Sequence, residues 1–153
     1  MTEIKRTLRF VRRAAPVIPE HRPLYKIAQL LLILELASRG GKSSLPRLQL
    51  FNWALKKPDR RERLLRAKAD QRLNVAAWGF DPAVVLALRF AIGQSLIQAM
   101  STNYQITNLG SEFIRTACKE PDNLVTERNF LKALGKSITE AMVSDIAQTW
   151  GDA

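Results

Sequence analysis

The stretch DPAVVLALRFAIG, Asp81 to Gly93, states both ends of a helix. Asp81 is a good N-cap because its short carboxylate accepts from the orphan N–H groups of a first turn, and Pro82 suits the first helical position, where no N–H is needed. Gly93 marks the stop. Directly after it, LIQAM and YQIT read as two short strands around the polar turn Ser101-Thr102-Asn103, a β-hairpin. A new helix opens in NLGSEFIRTACKE, just past a corner of the form IT-x-x-G at Ile106 to Gly110. Helices, a hairpin and a further helix in this order predict a winged helix-turn-helix, in which the helix before the hairpin holds the DNA-reading position.

The rest of the chain supplies helices around that unit. Residues 1–22 read as a basic N-terminal arm: TLRFVRR alternates apolar and basic residues, and Pro16, Pro19 and Pro23 force extended backbone after it. Residues 23–120 form the winged-helix-like core. Its first helix runs from Pro23 to Arg39, with Leu24, Ile27, Ala28, Leu31 and Leu34 at helical spacing and Gly40-Gly41 ending it. A second, over 44–57, is capped by Ser43 or Ser44, carries Pro46 in its first turn and buries Leu48, Phe51 and Leu55. Pro58-Asp59 starts a third, the basic run RRERLLRAKAD, anchored only through Leu64, Leu65 and Ala67. Residues 121–153 hold two more helices, near 122–134 and 138–150. The last is opened by a capping box from Ser137 to Glu140 and striped by Ile138, Met142, Ile146 and Trp150. The expected fold is mainly α with a small β-hairpin: a winged helix-turn-helix-like single domain with an N-terminal arm and extra C-terminal helices packed on the core or on a partner.

Charge is unevenly spread along the chain. Residues 1–72 hold 18 Lys and Arg against 6 Asp and Glu, while residues 73–153 hold 6 against 8, so the net +10 belongs to the first half. That asymmetry favours a polyanion partner, double-stranded DNA met through its backbone and without regard to sequence. Candidate backbone contacts are Lys56, Lys57, Arg60, Arg61, Arg63 and Arg66 near the basic helix, and Arg9, Arg12 and Arg13 on the arm. Arg60, Arg63 and Arg66 recur at three-residue steps and so read as one ridge of the helix.

The helix at the DNA-reading position offers no such groups. Reading bases requires Arg, Lys, Asn or Gln on an exposed face, yet from Ala83 to Ile92 only Arg89 is polar, and no further Lys or Arg occurs before Arg115. Such a helix reads as a central core element covered by other helices, or as one whose face joins a hydrophobic interface with another protein, and the two readings are compatible. Other apolar docking candidates are Leu8 and Phe10 on the arm and the C-terminal stripe Ile138, Met142 and Ile146.

No catalytic chemistry is legible. His21 is the only histidine, which excludes His-based triads and histidine metal sites within one chain, and the carboxylates are scattered rather than paired. Gly40 to Ser44 imitates the end of a phosphate loop, but the position of the motif's first glycine is Leu36, and a helix rather than a strand enters it. Cys118, the single cysteine, reads as a small buried hydrophobe. The longest apolar run, Ala28 to Ala37, contains Glu35 and falls short of the roughly 20 residues that span a bilayer. The expectation is a cytoplasmic, non-enzymatic chain without metal, cofactor or membrane contact.

The phrases RPLYKIAQLLLILELASRGGKSSLPRLQLFNWAL, FDPAVVLALRFAIGQSLI and YQITNLGSEFI, spread over residues 22–115, resemble the small middle components of bacterial three-component ABC-ATPase systems. The Lamassu anti-phage and anti-plasmid defence complexes belong to this group. The resemblance implies a non-catalytic subunit that assembles with a coiled-coil ATPase of the SMC/Rad50 type and with an effector, often a nuclease, so that the ATP and metal sites lie in the partners. Such a complex senses foreign DNA and releases or activates the effector. Two other classes stay open on the residues alone. One is an autonomous winged-helix transcriptional regulator, reading bases with Arg47, Gln49 and Asn52 of the second helix; the other is a small accessory protein such as an antitoxin or adaptor.

Overall fold

The computed structural model describes residues 23–151, so the arm, with Leu8, Phe10, Arg9, Arg12 and Arg13, lies outside the described residues. In chain order come α1 (Pro23–Ala37), a 3-10 turn (Arg39–Gly41), β1 (Lys42–Ser43), α2 (Leu45–Leu55), α3 (Pro58–Asp70), α4 (Pro82–Gly93), β2 (Ile97–Ala99), β3 (Tyr104–Ile106), α5 (Asn108–Ala117), α6 (Val125–Leu134) and α7 (Glu140–Gly151). The molecule is mainly helical with one small antiparallel sheet, strand order β1-β3-β2, in which Lys42 faces Gln105 and Ile97 faces Ile106. Helix, strand, helix, helix, hairpin is the order of a winged helix-turn-helix, with α3 and the 71–81 loop inserted between the two helices α2 and α4. Strand β1 has no counterpart in the sequence reading, because two residues are too few for an alternation to register.

The central helix is α1. Ile27, Ala28, Leu30, Leu31, Leu32, Ile33, Leu34 and Ala37 are all buried on it, so it is covered on nearly every side, by α4, α6, α5 and α2. It ends at Ala37, two residues before the expected Arg39, where the Ser38 hydroxyl turns back to donate to the Ile33 carbonyl at 2.8 Å. Gly40 and Gly41 then take left-handed backbone, φ 62° and 68°, which delivers the chain to β1.

Local start signals are realised at α2 and α4. The Ser44 hydroxyl accepts from the Arg47 N–H, and the Asp81 carboxylate accepts from the Ala83 N–H at 3.0 Å. The stop falls at Gly93 as expected, Gly93 being the last helical residue, while the left-handed turn that follows is taken by Ser95, φ 63°. The IT-x-x-G corner is a junction of α4, β3 and α5. Thr107 caps α5 by accepting from the Gly110 N–H at 3.0 Å, its hydroxyl donates to the Ser95 carbonyl at 2.6 Å, and its own N–H donates to the Leu96 carbonyl at 3.0 Å.

The C-terminal helices pack on the core, α6 against α1 and α3, and α7 against α2. The expected capping box of α7 does not form. Thr139 caps instead, accepting from the Met142 N–H at 3.2 Å, because Glu140 is drawn across the fold to the Ser44 N–H and hydroxyl at 2.9 and 2.7 Å. The Ser137 hydroxyl donates to the Leu134 carbonyl. The stripe offered as a docking face is largely internal: Ile138 is buried, and Met142 and Ile146 pack part-buried against the core. Trp150 stands edge-on to Trp78 with ring centroids 4.7 Å apart, its indole N–H donating to the Ala76 carbonyl.

Candidate nucleic-acid and partner interface

The DNA-reading position is occupied by α4, and its apolar character divides into two faces. Val84, Ala87, Leu88 and Ala91 are buried, mostly against α1, whereas Leu86 and Phe90, one helical turn apart, are 51% and 50% exposed. The covered-core reading of this helix therefore fails; that role belongs to α1. Further exposed apolar residues flank the same unit: Phe80 before the helix, Met100 in the hairpin turn and Leu109 at the start of α5.

Three polar residues of α2 that a base reader would need are turned inward. Arg47, Gln49 and Asn52 are 3%, 4% and 4% exposed, so none can reach a base edge, and the sequence feature favouring an autonomous regulator is spent inside the fold. Gln49 and Asn52 hold the start of α4. The Gln49 amide donates to the Asp81 carbonyl and accepts from the Asp81 N–H, and Asn52 donates to the Asp81 carboxylate while accepting from Lys26. Lys56 completes the cluster as an ion pair with Asp81 at 3.0 Å.

This environment sets the charge state of Asp81. Burial raises its pKa, but the Ala83 N–H, Lys56 and Asn52 outweigh burial and bring it down to about 2. The folded value lies below the ordinary value of about 3.9, so the stabilisation is complete above about pH 4 and lost as the pH falls towards 2. Asp81→Ala is expected to cost about 1 kcal/mol near neutral pH, a modest figure because the carboxylate is part-exposed and screened. In urea melts at fixed pH, the gap between variant and wild type should close between about pH 4 and pH 2. A gap independent of pH would show that the cap acts without its charge.

The basic helix divides in the same way. The Arg60 guanidinium lies 4.8 Å from the centre of the Trp53 ring and donates to the Trp53 carbonyl, and Arg61 donates to the Leu55 carbonyl at 2.9 Å. Both donate to carbonyls of the last turn of α2, where the Trp53 carbonyl also accepts from the Lys56 N–H at 3.4 Å. Lys68 does the same for α6, donating to the Ala133 carbonyl at 2.6 Å. The ridge of Arg60, Arg63 and Arg66 is therefore not uniform. The side chains of Lys57, Arg63, Arg66 and Arg72 make no hydrogen bond or ion pair among the described residues. Arg72 and Asn74, which the sequence reading left out of the candidate contacts, come beside Arg63 and Arg66 because Gln71 reverses the chain in left-handed backbone, φ 55°, with the Arg72 N–H donating to the Ala67 carbonyl.

Cys118, expected as a buried hydrophobe, is only part-buried, and that burial pushes its thiol pKa up, against the opposing pull of Arg128 and Lys132. Among the described residues no helix is long and apolar enough to cross a membrane. No family model, curated protein or solved structure matches the chain.

Proposed function

We propose that this chain is a non-catalytic assembly subunit of an SMC/Rad50-like ATPase complex in cytoplasmic anti-phage or anti-plasmid defence, of the Lamassu kind. In this reading α4 meets a protein partner where a winged helix would otherwise meet bases, and the basic helix meets DNA backbone. The observation that carries the reading is the exposed pair Leu86 and Phe90 on the helix at the reading position. An isolated domain gains nothing from two large apolar side chains on one helical face, and such faces mark protein interfaces. The inward turn of Arg47, Gln49 and Asn52 weighs against the regulator reading.

The test expresses the tagged full chain together with the genes that flank its own. An SMC-like ATPase is expected to co-purify, and the double variant Leu86→Asp/Phe90→Asp to release it while keeping the wild-type thermal transition. If no ATPase co-purifies, the assembly reading fails. If the folded variant retains the ATPase, α4 is not the interface.

A further inference from the structure

Arg63, Arg66, Ala67, Asp70, Arg72 and Asn74 line a cleft of about 100 Å³ between the end of α3 and the loop that follows. Its floor is fixed from within. Leu64 and Ala67 bury the inner side of α3, and Leu73 and Val75 are buried on the loop, so Arg72 and Asn74, alternating with them, must face out. Three guanidinium groups thus line one small depression with a single carboxylate among them. No ion pair forms there among the described residues, although Arg66 and Asp70 are one helical turn apart. Elsewhere Arg47, Arg60, Arg61, Arg115 and Arg128 each hold a carbonyl or a carboxylate, whereas Arg39 and Arg89 stand singly with no side-chain partner among the described residues, so the cleft is set apart by gathering three such groups. The negative end of the α3 dipole, about half an elementary charge, opposes an anion here. Three cations against one carboxylate exceed that opposition.

We propose that this cleft seats a single backbone phosphate of a DNA duplex, held by Arg63, Arg66 and Arg72 with the Asn74 amide as an additional donor. The forked, planar guanidinium suits the tetrahedral oxygens of a phosphodiester, and Asp70 limits the affinity by repelling it. The proposal rests on the DNA-contact part of the function given above and deepens it by naming the site. Its test uses the chain alone, so loss of the ATPase partner and loss of the phosphate site are read separately.

The experiment measures binding of a labelled 20-base-pair duplex to the full chain across salt concentrations. The triple variant Arg63→Gln/Arg66→Gln/Arg72→Gln is expected to bind roughly tenfold more weakly, with a log–log salt slope shallower by about 0.9, one phosphate's worth. Asp70→Asn is expected to bind several-fold more tightly. A control with equal charge removed elsewhere, Arg39→Gln/Lys119→Gln/Lys136→Gln, should leave the slope unchanged.

Several outcomes overturn the proposal. A slope shallower by about 2.7 would mean three separate phosphate contacts rather than one seat. An unchanged slope in the triple variant, an equal loss in the control, or weaker binding by Asp70→Asn would remove the site. Inorganic phosphate, added at constant ionic strength, is expected to displace the duplex at millimolar concentration. Phosphate that binds at the cleft and leaves duplex affinity untouched would assign it to a free anion. Failure of the wild-type chain to bind duplex at low salt overturns it outright.

Discussion

Arg47→Ala is expected to lower folding stability by about 3–5 kcal/mol and the thermal midpoint by roughly 10 °C, the largest effect of any single truncation outside the apolar core. The side chain of Arg47 is 3% exposed and works as a hub. Its Nε donates to the Ile138 carbonyl at 2.8 Å, Nη1 donates to the Ser38 and Ser43 hydroxyls, Nη2 donates to the Ala37 carbonyl, and the guanidinium lies 4.6 Å from the centre of the Phe51 ring. Those contacts join the end of α1, the end of β1, helix α2 and the approach to α7. Burial lowers the guanidinium pKa to about 10, against the opposing pull of Glu140, and the cost of that burial is offset only while the acceptors are in place. Truncation leaves two buried carbonyls without their donor and opens a cavity beside Phe51. Arg47→Lys keeps the charge but not the planar fork, and should recover only part of the loss. A midpoint within 3 °C of wild type for Arg47→Ala, by calorimetry, would show that water replaces the hub at little cost.

What the sequence made legible was what a few adjacent residues decide. Asp81-Pro82, Ser44 with Pro46, the turn Ser101 to Asn103 and the corner before Gly110 each act within about a turn of chain, and the structure contains each. Residues whose fate depends on distant neighbours were not legible. Arg47, Gln49 and Asn52 look like an exposed polar face until α1, α4 and α7 close over them. Glu140 looks like half of a capping box until Ser44, 96 residues away, competes for it. Arg60 and Arg61 read as free contacts for DNA backbone until the fold sets them on the last carbonyls of α2, as it sets Lys68 on the last turn of α6.

The same limit governs which apolar helix is covered. Both α1 and α4 are dominated by aliphatic residues, and composition does not rank them. The element order does: α1 is flanked in space by four helices, whereas α4 packs against α1 on one side and leads into the hairpin on the other. An exposed apolar face at the reading position follows from that placement rather than from the residues of α4 alone. Arg72 was missed for a related reason. It lies beyond the helix that carries the basic run, and only the left-handed turn at Gln71 returns it to Arg63 and Arg66.

Alanine in place of two helical glycines, Gly93 and Gly110, should act in opposite directions, and the contrast tests how the hairpin is held. Helix propensity favours Ala over Gly by about 1 kcal/mol at either position. At Gly93 a Cβ meets nothing within 4 Å, so Gly93→Ala is expected to gain about 0.5 kcal/mol. At Gly110 a Cβ would lie 2.2 Å from the Leu96 carbonyl oxygen and 2.9 Å from the Ile106 side chain. The oxygen is backbone, and it already accepts the Thr107 N–H, so it cannot swing aside as a side chain would. Relief requires α5 to move away from the junction that fixes the hairpin, an overpacking cost of about 3–4 kcal/mol that exceeds the propensity gain. Gly110→Ala is therefore expected to lose about 2–3 kcal/mol net, read as a fall in denaturation midpoint in urea, with early amide exchange at Gln98 and Gln105 of the sheet. A stabilised Gly110→Ala chain would mean that the corner is looser than its hydrogen bonds imply. The exposed faces of α4 and the hairpin would then not be held in one rigid arrangement for a partner to recognise.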